Sequence, residues 1–75
     1  MTASKSDFSE RQLLILRLLA DDKSVDEITS LVGIGRAEID QEIEVLLKAL
    51  DVHTPGQAVA KGIVRGVIGP YRSQP

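Results

Sequence analysis

Three times in this chain a serine or threonine is followed, three residues on, by glutamine or glutamate: Ser9 with Gln12, Ser24 with Glu27, and Thr54 with Gln57. In such a string the hydroxyl can accept from the later residue's backbone N–H. The longer side chain reaches back to the first residue's own N–H, so two donors left over at a helix start are satisfied reciprocally. Three such starts in 75 residues commit most of the chain to helix. The third is the most explicit, because Pro55 follows Thr54 and its ring is pre-set for the first helical position.

The residues after each start carry the expected periodicity. Ser9 precedes an apolar run from Leu13 to Leu19, broken only by Arg17 and ending at Ala20-Asp21-Asp22. A helix apolar nearly all round belongs at the centre of a fold, or leans on something beyond the monomer. Ser24 opens a shorter helix with Ile28, Leu31 and Val32 on one stripe, Asp26 and Glu27 in its first turn, and Gly33 as a left-handed stop. A third helix is expected from Gly35-Arg36 to Leu50, with Ile39, Ile43, Leu46 and Leu50 inward and Leu47 at the edge. Asp40, Gln41, Glu44, Val45 and Lys48 then point outward. The fourth helix is expected to bury Val59, Ile63 and Val67 and to stop at Gly69-Pro70. The chain reads as one all-α domain over residues 8–68, with polar tails at 1–7 and 69–75, the first of them expected to be disordered.

With no cysteine there is no disulfide and no thiolate zinc site to staple so small a core. Stability has to come from packed Leu, Ile, Val and Ala, or from a partner subunit. No apolar run is long enough to span a bilayer, and residues 1–7 lack the apolar stretch of a signal peptide, so the expected setting is cytoplasmic. The lone histidine, His53, stands next to the Thr54 cap without a nucleophile or a second ligand near it in sequence. Gly33-Ile34-Gly35 lacks the strand and lysine of a phosphate loop. No enzyme activity, metal or cofactor is expected. Charge is divided along the chain: residues 1–52 hold all eleven acids and six of the nine bases, while residues 53–75 hold Lys61, Arg65 and Arg72 and no acid. A polyanion is therefore repelled by the first two-thirds and attracted by the last third.

A short capped helix, a turn on Gly33 and a longer amphipathic helix have the layout of a helix-turn-helix. The wider pattern is more specific. Phe8-Ser9-Glu10-Arg11, Leu16-Arg17-Leu18-Leu19-Ala20, Glu27-Ile28, Val32-Gly33-Ile34, Leu50-Asp51-Val52 and Gln57-Ala58-Val59-Ala60 stand at the spacings of the LuxR/GerE-type domain, the DNA-binding module of many bacterial response regulators. The chain resembles that family over residues 8–68 without a gap. The resemblance implies a four-helix LuxR-type helix-turn-helix domain that regulates transcription. Its third helix would enter the DNA major groove, and its fourth would form a two-fold dimer contact. On that reading Arg36, Gln41, Glu44 and Lys48 are the groove-facing residues, Lys61 and Arg65 serve phosphates, and Ala60, Val64 and Val67 meet a second copy.

The reading surface departs from the family's pattern. Glu38 stands where threonine is usual, Asp40 where a base is usual, and Glu42 where histidine is common. Duplex DNA presents about one negative charge per 1.7 Å of axis, and several acids on one helix face meet it with the wrong sign. One acid can be placed, because a carboxylate accepts from cytosine N4. An aliphatic residue among acids also suits a protein contact with an apolar centre and a polar rim. The alternative is therefore a protein-interaction module that keeps this fold but does not bind DNA. It would use Glu38, Asp40, Glu44 and Val45 to bind a basic partner, such as another regulator or part of the transcription machinery.

Overall fold

A computed structural model describes residues 7–69. They form four helices: α1 (Glu10–Ala20), α2 (Val25–Val32), α3 (Arg36–Leu50) and α4 (Pro55–Val64). There is no strand among the described residues, so the all-α expectation is met. The expected tails lie outside the described residues, apart from Asp7 and Gly69.

All three capping boxes form. Gln12, Glu27 and Gln57 each donate a backbone N–H to the hydroxyl of the cap and accept from the cap's own N–H. Glu27 shows the electrostatic side of this arrangement. Its carboxylate accepts from the Ser24 backbone N–H at 2.9 Å, and that bond holds its pKa below the ordinary carboxylate value. Desolvation opposes that bond to a lesser extent, and the Ser24 hydroxyl and Lys23 add smaller effects in the lowering direction. α3 begins differently: its N-cap is Gly35, with no side-chain cap bond.

The helix ends follow from backbone stereochemistry. Gly33 closes α2 in the left-handed region at φ +84°, as expected, and its N–H donates to Thr29 O. Two aspartates do the same work without a glycine's freedom: Asp22 after α1 (φ +62°) and Asp51 after α3 (φ +58°). Short polar side chains tolerate this region better than others do.

α1 packs against all three other helices, as its all-round apolar surface requires. The core is Leu13, Ile15 and Leu16 from α1, Ile28 from α2, and Ile39, Ile43, Leu46 and Leu50 from α3. Phe8, Ala58, Val67 and Ile68 complete it. The inward face of α3 is the one read from its periodicity.

Two expectations are corrected. Leu31 stands exposed rather than on the buried stripe of α2. α4 ends at Val64, five residues short of the expected stop, because Gly66 turns the chain at φ +74°. The buried positions of α4 are Ala58 and Gly62, while Val59 and Ile63 are half-buried beside them. The reason is steric: a Cβ at position 62 would lie 3.0 Å from Leu16 Cδ2, so α1 approaches α4 where α4 has no side chain. Beyond the turn, the amides of Val67 and Ile68 both donate to Gly62 O, and both side chains fold into the core.

Candidate functional site

α2 and α3 are joined by the three-residue turn Gly33-Ile34-Gly35 and are in contact with each other. Because Ile39, Ile43, Leu46 and Leu50 face inward, the helical period sends the residues between them outward. Arg36, Glu38, Asp40, Gln41, Glu44, Val45 and Lys48 are all exposed. The structure therefore places the α3 candidates of both readings on accessible surface.

Their charges are not equally available. Arg36, the first residue of α3, donates from Nη1 to Asp26 Oδ1 at 3.1 Å and from Nε to Asp40 Oδ1 at 3.4 Å. One guanidinium thus serves two carboxylates and ties α2 to the start of α3. Glu38 and Glu44 take part in no ion pair among the described residues. Lys48 sits in the last turn of α3, where a cation complements the helix dipole. The outward face thus has its one early cation already neutralised and two carboxylates that are not.

Glu42, where the resemblance leads one to expect histidine, turns toward α1. Its Oε1 accepts from Gln12 Nε2 at 3.2 Å, and its Oε2 lies 3.6 Å from Arg11 Nη1. Gln12 therefore does two jobs, closing the α1 capping box and holding α3. No local string of sequence records this link, because its two ends are thirty residues apart. The Arg36–Asp26 pair likewise joins separate helices, across ten residues of sequence.

Beside these residues, Arg11, Glu38, Gln41, Glu42 and Val45 line a cleft of about 210 Å³ between α1 and α3. A second, shallow cleft of about 510 Å³ lies along α1, over Glu10, Arg11, Leu13, Leu14 and Arg17. Arg11 is common to both. Val45 is 44% exposed and Leu14 41% exposed.

Lys61 and Arg65 are half-buried and line a different surface, an open, mainly apolar groove of about 500 Å³. Asp51, Val52 and His53 of the α3–α4 connection and Gln57, Ala60 and Val64 of α4 complete its wall. Val64 is 83% exposed there, and Ala60 is exposed as well. Val67 is not part of this face. It is fully buried beyond the end of α4, so its expected place in a dimer contact is corrected to a place in the core.

No group of three or more His, Asp or Glu side chains suited to a metal ion occurs among the described residues. No helix among them is long and apolar enough to cross a membrane. Comparison of the chain with known protein families, with curated proteins and with solved structures returned no match.

Proposed function

We propose that this chain is a helix-turn-helix module of transcription regulation, of the LuxR type its sequence resembles, that works by binding a basic protein surface on the outward face of α3. The observation that carries this reading is the state of Arg36. A groove-reading helix needs cations at its start to offset the phosphate field. Here that cation is shared between Asp26 and Asp40, and Glu38 and Glu44 follow it. Val45, exposed among these acids, supplies an apolar centre. A partner carrying lysines or arginines, whether another regulator or a component of the transcription machinery, complements such a face.

The second reading is binding of duplex DNA by a dimer. It is favoured by the layout of α2, the turn and α3, and by the resemblance over residues 8–68. Arg36, Gln41, Glu44 and Lys48 would then face the groove, and Lys61 and Arg65 phosphates. A second copy would cover Ala60 and Val64.

One pair of substitutions separates the two. Asp40→Lys with Glu44→Lys strengthens binding to any duplex if α3 meets DNA, because each new phosphate contact adds about one unit to the salt slope. The same pair abolishes binding of a basic partner by like-charge repulsion. A mobility-shift assay with mixed-sequence duplex at low salt, where attraction is least screened, is the direct test. A wild-type shift at low salt, strengthened by the double substitution and weakened by Ala at Arg36, Lys61 and Arg65, would replace the protein-binding reading with the DNA one.

A further inference from the structure

Leu14 and Val45 are two of the four large hydrophobic side chains exposed among the described residues, and they come from different helices. They occupy neighbouring clefts that have Arg11 in common. Arg11 lies 3.6 Å from Glu42 of α3, so the ridge between the clefts carries an ion pair. The result is two seats on either side of Arg11, each with one exposed aliphatic side chain set among charged and polar ones.

We infer that this α1–α3 face receives an amphipathic helix of a partner protein, with one apolar side chain in each seat and a row of lysines or arginines along the α3 side. The inference rests on the protein-binding reading and specifies its partner. The charge of the face selects the basic row: Glu38 stands on the α3 rim and Glu44 beyond it, both without an ion pair, while Arg11 is already matched by Glu42. On the α1 side Arg17 and Glu10 offset each other, so attraction is one-sided and sets the direction in which the partner lies.

The helical form follows from backbone accounting. The face is built from the sides of two helices whose N–H and C=O groups are already used, and it offers no strand edge. An extended peptide would gain no main-chain hydrogen bonds there. A segment that shields apolar side chains in these seats has to satisfy its own backbone, and a helix does that while presenting side chains three or four positions apart on one stripe.

The test uses two synthetic peptides of identical leucine and lysine content, one patterned as an amphipathic helix and one scrambled, titrated into the ¹⁵N-labelled protein. The helical peptide is expected to shift amides around Leu14 and Val45 and to bind at least about tenfold more tightly than the scrambled one. Leu14→Asn and Val45→Asn are each expected to weaken it by about tenfold, in the range of an interface anchor. Val64→Asn is the control for mere stickiness, since Val64 is more exposed than either seat yet lies in the α4 groove. All three positions are on the surface, and circular dichroism checks that each variant folds. Equal response to Val64→Asn, equal binding of the scrambled peptide, or no binding of either peptide overturns the inference. If Asp40→Lys with Glu44→Lys abolishes binding while Leu14→Asn leaves it unchanged, the α3 reading stands and the two-seat helix falls. If that charge reversal also leaves binding unchanged, both fall.

Discussion

Leu16 of α1 packs directly over Gly62 of α4: a Cβ placed on Gly62 would sit 3.0 Å from Leu16 Cδ2 and 3.4 Å from Ile68 Cγ1. The contact is possible only because α4 lacks a side chain there, and Ala58, one turn earlier, continues the same small-residue strip.

Gly62→Leu should therefore destabilise the protein by about 1–3 kcal/mol through overpacking, despite leucine's better helix propensity. Gly56, in the first turn of the same helix, has nothing within 4 Å of its would-be Cβ. Gly56→Ala should stabilise by roughly 0.5–1 kcal/mol, because it removes backbone freedom from the unfolded chain alone. Thermal melts of the two variants should move in opposite directions.

Ile43 and Val45 are two residues apart on α3 and lie on opposite sides of it, one buried and one exposed. Ile43→Ala should cost about 2–5 kcal/mol. That approaches the whole stability expected of so small a domain, roughly 5 kcal/mol at the low end. Val45→Ala should change stability by less than about 0.5 kcal/mol. Chemical denaturation of both decides it; equal losses would mean that the two sides of α3 are misassigned.

The Glu27 cap makes a pH prediction. Its pKa is lowered in the folded protein, chiefly by the Ser24 backbone N–H, so the ionised form favours folding. That contribution is present above the ordinary value of 4.5 and is lost as pH falls below it toward the depressed folded value. Glu27→Gln keeps an acceptor for the Ser24 N–H but cannot titrate. The gap in melting temperature between wild type and Glu27→Gln should be larger at neutral pH than at about pH 3, below the ordinary carboxylate range. A gap that does not change with pH would show that the carboxylate's charge does not matter at this cap.

The α4 groove predicts self-association. Val64 is an exposed aliphatic on an apolar wall, and a small domain gains by covering it. Sedimentation at high micromolar concentration should show a dimer that Val64→Glu dissociates. A wild-type monomer unaffected by Val64→Glu would refute the contact.

What was legible in the sequence was whatever is written within a few residues. Ser9, Ser24, Thr54 and Gly33 act through bonds to residues three or four positions away, and each helix start or stop they announce is present. The inward face of α3 was legible because four large aliphatics repeat with the helical period. The inward face of α4 is less legible, because Gly62 packs by lacking a side chain and large-residue periodicity points instead to Val59, Ile63 and Val67. The i, i+4 spacing of Ala58 and Gly62 after a strong cap was the available signal. In the candidate site, exposure of the α3 residues followed from the same period. The pairing of Arg36 with Asp26, and of Glu42 with Gln12 and Arg11, depends on how separate helices meet, and no local string records it.

The return of the chain after Gly66 makes the domain's limits a matter of energy rather than of composition. Phe8 at one end and Val67 and Ile68 at the other are buried, and the last two are latched to Gly62 O through their amides. Trimming enzymes working inward from either side should stall at these residues. A cut at Gly66 would unseat Ile68 from beside Gly62 and open the α1–α4 seam to water, although every helix would remain whole. Anything fused to this domain has to be joined outside residues 8–68, since the core includes its own two end plugs.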